Sequence, residues 1–256
     1  MSERRALVAV CCNERTIPRE TAASLVRLGW GGRVPRAMAA HGFAAIDFVW
    51  VDTFLGVDDL RNYACTVALE QDYSHLVFLD ADMAWPSDLL TRLLAHHAVE
   101  GLVSGVYFRK PWPHWPVAFN KCVWDDTERR MVYKCDLDVL AGGDALRSEE
   151  LVGMGCCLIP LSVLGAIGPA PWFQYARPLH GYATVTEDVP FCQKVRKAGL
   201  PIWIDPTIRC EHYAAAYIGA PQWEGAWRHA SGMMARGELV YDDFERRYGS
   251  GNLRTS

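Results

Sequence analysis

His75-Leu76-Val77-Phe78-Leu79-Asp80-Ala81-Asp82-Met83 is the stretch that decides the fold. Its apolar run, Leu76 to Leu79, is short and ends in charge, the pattern of a fully buried strand rather than of a helix. The strand delivers Asp80 and Asp82 at its end, at the lip of a sheet, where open α/β folds bind their ligands. One residue of spacing sends both side chains to the same side of the exiting chain. Two hard oxygen donors in that place suit a divalent cation and, through it, a diphosphate. An Asp-x-Asp pair alone is common in surface turns, so its position at the end of a buried strand gives it weight.

Working outward, Ala6 to Cys12 reads as a buried first strand, followed by the polar turn Asn13-Glu14-Arg15 and a helix from about Pro18 to Leu28. Gly29 to Gly42 is expected to loop over the surface before a second strand, Ala45 to Val51, which ends at Asp52. Asp58 caps a helix carrying Leu60, Tyr63, Ala64, Val67 and Ala68, and that helix leads into the strand ending at Asp80. The order β-α-β-α-β predicts a parallel, wound half of an α/β fold.

Beyond it, Pro86 opens a helix through His97, and Gly101 to Phe108 forms a strand. Arg109 to Trp115 is an aromatic loop broken by prolines, Val117 to Trp124 and Met131 to Tyr133 read as a hairpin, and Asp136 to Glu150 is polar. Leu151 to Ile159 is expected as one apolar strand, with Gly153 and Gly155 leaving room for a ligand or a neighbouring backbone. A helix runs from Thr186-Glu187-Asp188 to about Lys197, Pro201 to Ile204 is a last short strand, and the tail from about Pro221 is helical. There is no internal repeat and no low-complexity tract.

With 256 residues, half of them hydrophobic, the chain can bury one sizeable core or two half-domains sharing a sheet. A formal charge of −4 argues against a histone-like coat for nucleic acid but leaves local basic patches open. Nine cysteines, without a Cys-x-x-Cys pair, are expected as reduced, buried thiols of a cytoplasmic protein. No signal-peptide pattern and no stretch of membrane-spanning length is seen.

Two further clusters join the paired aspartates. In Thr186-Glu187-Asp188 a threonine can cap the following helix; acids favour helix N-termini for structural reasons alone, yet an ionised carboxylate there can also serve as a general base toward a hydroxyl. His212 follows the last strand in Arg209-Cys210-Glu211-His212. A lone histidine is more often structural, but a neutral imidazole beside carboxylate oxygens is a good manganese ligand and would complete a site begun by Asp82.

These parts, in this order, resemble the GT-A fold glycosyltransferases, family 2-like, from Leu7 to about His212: Asn13-Glu14 after the first strand, Asp52 closing the second, Arg61-Asn62 opening a helix, Asp80-Ala81-Asp82, Gly153-Met154-Gly155, Thr186-Glu187-Asp188 and a terminal His212. The resemblance implies a Rossmann-like, mixed but mostly parallel central sheet flanked by helices. It implies a single domain over 1–256: a nucleotide-sugar half (1–100), an acceptor and catalytic half (101–215) and a helical tail (216–256). The Thr-Glu-Asp triplet is similar to that of cellulose synthase-type enzymes, which gives Asp188 the role of base and has Glu187 face the acceptor or support the loop. Asn13, Glu14 and Asp52 would meet uracil and ribose, and Arg61 the base or diphosphate. Asp82 and His212 would hold a divalent cation, Mn2+ or Mg2+, with Asp80 on ribose or metal-bound water. The implied donor is a nucleotide-diphosphate sugar, a UDP-sugar.

The likeness has gaps. The first strand ends Cys11-Cys12-Asn13-Glu14 where relatives carry a proline, and Gln222-Trp223-Glu224-Gly225-Ala226-Trp227-Arg228 does not match the Gln-x-x-Arg-Trp motif of processive synthases, so a single transfer is expected. One base and no obvious second nucleophile make inversion the expected stereochemistry. For the acceptor, Arg109-Lys110-Pro111-Trp112-Pro113-His114-Trp115 offers cations and flat aromatics; Arg109, Lys110, Trp112 and Trp115 are the candidate contacts. The compact, membrane-free pattern resembles stand-alone bacteriophage-type enzymes acting in the host cytoplasm. That makes 5-hydroxymethylpyrimidine in DNA, flipped from the stack, the leading single acceptor. Saccharide, lipid-linked and protein acceptors are the alternatives. The rival classes are a sugar nucleotidyltransferase and a non-catalytic glycan- or DNA-binding module.

Overall fold

The computed structural model describes residues 3–12, 16–29, 40–52, 56–111, 114–125, 130–140, 143, 145–176, 185–214, 217–222, 224–225 and 228. Its centre is a seven-stranded sheet in the order β2-β1-β3-β10-β5-β11-β8, formed by β1 (Arg4–Cys12), β2 (Phe43–Asp52), β3 (His75–Asp80), β5 (Leu102–Val106), β8 (Arg147–Glu149), β10 (Cys156–Pro160) and β11 (Ile202–Arg209). β1 pairs in parallel with both β2 and β3, and β5 with β11, while β10 and β8 run against their neighbours. The expected mixed, mostly parallel sheet is therefore present, with strands from both expected halves of the chain in it.

Why β1 reads as an unbroken apolar run is visible in its burial. Leu7, Ala9 and Cys11 join one core, and Ala6, Val8, Val10 and Cys12 join the other. Both faces are covered, so neither can be polar. On the first face lie α2 (Val57–Glu70), α4 (Leu161–Ala166) and α5 (Asp188–Lys197), contributing Leu60, Ala64, Leu164, Val189 and Phe191. On the second, α1 (Arg19–Leu28) and α3 (Leu89–Ala95) contribute Leu25, Leu28, Leu89 and Leu93. Among the described residues no helix is long and apolar enough to cross a membrane. All nine cysteines are free thiols.

Several elements differ from expectation. The apolar segment 151–159 is two strands: β9 (Leu151–Val152) pairs with β6 (Ala118–Asp125), whose other neighbour is β7 (Arg130–Cys135), and β10 crosses the central sheet antiparallel. Gly153 to Gly155 makes the break. A Cβ on Gly153 would lie 1.9 Å from the Tyr107 hydroxyl, so the glycine yields space to a side chain. The polar segment 136–150 contains the edge strand β8, and the helix after Pro86 is confined to α3. The last strand continues through Arg209, where Asp205 and Arg209 pair with Gly105 and Val106 of β5. Gly56, not Asp58, occupies the cap position of α2, and Tyr63 is 57% exposed rather than in the core. Of the expected helical tail, residues 220–222, 224–225 and 228 are helical.

Two short strands complete the frame: β4 (Met83–Ala84) follows the aspartates, and β12 (Glu211–Tyr213) pairs antiparallel with β4 and with β13 (Tyr217–Ile218). In that register His212 stands opposite Met83, one residue beyond Asp82.

Candidate active site

Pairing of β4 with β12 is what unites Asp82 and His212, which lie 130 positions apart. The Tyr213 N–H donates to the Asp82 carbonyl at 2.7 Å, fixing the approach. The His212 ring stands edge-on to Tyr107 at 5.6 Å between centroids, and its Nδ1 is 2.8 Å from the Phe108 carbonyl. A carbonyl only accepts, so Nδ1 carries the proton, and in the neutral ring Nε2 turns its lone pair toward Asp82 Oδ2, 3.3 Å away. Two acceptors facing each other need a proton or a cation between them. Lys110 supplies positive charge from the other side through an ion pair with the same Oδ2. Burial alone would raise the Asp82 pKa, but His212 and then Lys110 outweigh it and hold the carboxyl at about 2.

Beside this group, at the carboxyl ends of β1 and β3, lies a cavity of about 180 Å³ lined by Cys11, Cys12, Thr16, Val57, the 80–82 turn and Lys110. Its size suits the phosphate end of a ligand rather than a whole one. Burial pushes the Cys11 thiol up to about 12, so it is a neutral wall and not a nucleophile. Among the described residues no three metal-ligating side chains converge. Asp82 and His212 make a pair, a donor set that fits a hard divalent ion whose remaining ligands are water and phosphate oxygens.

Arg61 forms the other half of the site. It projects from the core face of α2, 3% exposed, with its guanidinium near the rings of Phe78 and Phe173. Nη2 donates to Asp80 Oδ1 at 3.0 Å, and Nη1 pairs with Glu187. Burial works against its charge, but Asp80 and Glu187 outweigh it and raise the Arg61 pKa. Burial also raises Glu187, with Arg61 opposing.

Asp188 begins α5. Its Oδ1 accepts from the Thr186 hydroxyl at 2.5 Å and from the Val189 N–H at 3.0 Å. Thr186 therefore orients Asp188 instead of capping the backbone, and α5 has no side-chain cap bond. Burial raises the Asp188 pKa, with Thr186 and then Arg61 working the other way. The field of Asp80 reaches Asp188, and both act on the phenol of Tyr107, which burial and these two charges raise well above its ordinary pKa. Arg61 thus ties Glu187, which precedes Asp188, to Asp80, while His212 meets Asp82 two residues further on.

Other expected contacts are placed differently. Asn13, Glu14 and Trp112 lie outside the described residues. Asp52 is exposed at the end of β2, beside Cys12 in register, and does not line the cavity. Arg61 is spent on Asp80 and Glu187, which corrects its expected role as a base or diphosphate contact: a guanidinium buried between two acids does not reach a ligand. Glu187, 5% exposed, supports from behind and does not face an acceptor. Trp115 is 3% exposed, so its expected stacking role is also corrected; it anchors the loop in the core. Burial lowers the Arg109 pKa, and Lys110 turns to Asp82. The three acceptor candidates among the described residues, Arg109, Lys110 and Trp115, do not form one exposed face.

Two residues of the site were not expected. Tyr107 follows β5 directly, ahead of the aromatic loop, and the Gly155 N–H donates to its hydroxyl at 3.2 Å. Tyr175 is 41% exposed, and burial followed by the nearby Glu187 raises its phenol to about 12. Nothing in the sequence near Tyr175 marks it; it is brought in when Ala176 pairs with Val185, just ahead of Thr186.

No family model and no curated protein matches the chain. Among solved structures it is similar to A197 from STIV, with a TM-score of 0.53 and 16% identity over 83% of this chain and 86% of that one. GalNAc-T7, crystallised with UDP, GalNAc and Mn2+, gives a TM-score of 0.47 and 14% identity over 95% of this chain and 53% of that one. A mutant Drosophila β1,4-galactosyltransferase 7, in complex with manganese, UDP-Gal and xylobiose, gives 0.40 and 12% over 79% and 65%. At these identities the likeness is one of fold.

Proposed function

We propose that the chain is a GT-A-type glycosyltransferase that moves one sugar from a UDP-sugar to a hydroxyl acceptor with inversion, using a divalent cation. The observation that carries the reading is the meeting of Asp82, His212 and Lys110 at the carboxyl ends of β1 and β3, with Asp188 in the field of Arg61 and of Asp80, which lines the same cavity as Asp82. UDP and manganese in the two transferase structures agree with it, though it is argued from this chain's own residues.

Asp82 and His212 would hold the cation, which when bound neutralises the departing diphosphate. Asp188 takes the proton of the acceptor hydroxyl. Its raised pKa makes it a stronger base than an exposed aspartate, and Thr186 and the Val189 N–H fix Oδ1 so that Oδ2 points its lone pairs elsewhere. Arg61 holds Glu187 as a counter-charge, which removes that carboxylate as a second nucleophile and favours a single displacement. Buried Tyr107, kept neutral, closes the floor between Asp80 and His212.

The DNA acceptor is carried forward as one arm of a screen against saccharides, because Trp115 is inside and Lys110 faces Asp82. The test offers nucleotide sugars with hydroxymethylcytosine DNA, hydroxymethyluracil DNA and simple glycosides, with and without chelator, and weighs every product by mass spectrometry. Expected are a glycosylated acceptor and free UDP, both abolished by chelation. Release of pyrophosphate would show a nucleotidyltransferase instead, and absence of chelator-sensitive turnover with every donor would leave a binding module.

A further inference from the structure

We propose that Lys110 is a built-in counter-cation: its ammonium occupies the Asp82 carboxylate before nucleotide arrives, competes with the free divalent ion, and is displaced when the ion enters together with a diphosphate. The inference rests on the cation site assigned above and adds to it an order of binding.

Three features place Lys110 in this role. Its Nζ pairs with Asp82 Oδ2, the same oxygen that faces His212 Nε2, so lysine and metal would share one ligand atom. The backbone beneath it is pinned. The Val117 N–H donates to the Tyr107 carbonyl at 2.9 Å, Phe108 and Pro116 form a bridge, and the Arg109 N–H donates to the Trp115 carbonyl at 2.8 Å. The Phe108 carbonyl also receives His212 Nδ1, so loop and metal ligand are tied together. The lysine side chain, 39% exposed, can swing away from the carboxylate. A long flexible ammonium of this kind exchanges between oxygen partners by rotamer changes without moving the loop.

Charge supplies the reason for the order. At the Asp82 carboxylate the ammonium of Lys110 offsets the negative charge, which weakens its attraction for a free divalent ion. A diphosphate changes this: its oxygens complete the ion's coordination and give the displaced ammonium a new anionic partner. Binding of ion and nucleotide should then be mutually reinforcing, and reciprocity requires the same coupling factor in either order.

The experiment is titration of Mn2+ alone, followed by the electron paramagnetic resonance signal of the free ion, on the full chain and on Lys110→Met and Lys110→Gln. Each titration is repeated with UDP. Both variants should bind Mn2+ without nucleotide about fivefold or more tighter than the parent, and the gain in Mn2+ affinity from UDP should shrink. Thermal melts confirm that each variant is folded, and the two replacements guard against an effect peculiar to one of them. Unchanged or weaker Mn2+ binding in folded variants, or none in any form, overturns the proposal. No sugar or acceptor is present, so absence of transfer in the acceptor screen would leave this result standing. Transfer with an unchanged Mn2+ affinity would sink the lysine exchange alone.

Discussion

The molecule contains two clusters built from the same parts, an arginine and two carboxyls, and they behave in opposite ways. At the centre of the sheet Arg61 bonds both Asp80 and Glu187. At its edge Arg147 reaches Asp136 at 2.5 Å but not Glu149, whose Oε2 has no hydrogen-bond partner. Burial and the neighbouring Asp136 then push the Glu149 carboxyl up to about 9, so it keeps its proton at neutral pH. One guanidinium placed between two acids maintains a preorganised charged site; the same group displaced to one side leaves a hydrogen-bonded acid pair with no need of a ligand. Position along the sheet matters too, since only the first cluster stands at the carboxyl ends of parallel strands.

Removing the central arginine tests the contrast most severely. Arg61→Met strands the buried Glu187 carboxylate and the half-buried Asp80 and should lose about 3–5 kcal/mol of stability at pH 7 in urea unfolding. The loss should shrink as pH falls and the acids protonate. A deficit below about 1 kcal/mol would mean that Asp80 and Glu187 do not depend on Arg61.

Function should follow the same division. Asp188→Asn should lower turnover by about 10²–10⁴ with UDP affinity retained, whereas a change at Glu149 should leave turnover alone. Parallel kinetic losses would break the assignment of chemistry to the central cluster. Gly155→Ala sharpens it on a smaller scale. Its new Cβ would lie 2.8 Å from Asp80 Oδ2 and 2.6 Å from Met83 Sδ, and a thermal melt should report a loss of about 1–3 kcal/mol.

The smallest effect belongs to the edge. Because the folded pKa of Glu149 is raised from an ordinary value near 4.5 to about 9, the folded state binds more protons between those values, and stability falls as pH rises across the window. Glu149→Gln removes that slope and should be more stable than the parent at pH 8 by on the order of 1 kcal/mol. Parallel stability profiles from pH 5 to 9 would show that Glu149 is not protonated.

Much of this was legible in the chain, and what was not has definite causes. Leu76 to Leu79 running into Asp80 and Asp82 announced a central strand and the ligand edge, because burial on both faces leaves a continuous apolar run. Arg61 carried a signal that a contact-based reading overlooked: it shares the core face of α2 with Ala64, Cys65 and Ala68, where a cation needs buried anions. Trp115 and Lys110 were misplaced because a loop's sequence does not say which of its side chains turn inward; backbone pairing across the loop decides that. The long strand over 151–159 failed at Gly153 and Gly155, which make room for Tyr107 and Asp80 rather than for a ligand.

The central claim is that Asp82 and His212 hold a cation that in turn holds a nucleoside diphosphate. Calorimetric titration of UDP into the parent and Asp82→Ala, each with and without Mn2+, tests it directly. The account predicts UDP binding in the parent that requires Mn2+ and disappears in Asp82→Ala. UDP binding indifferent to both the metal and the substitution would contradict it.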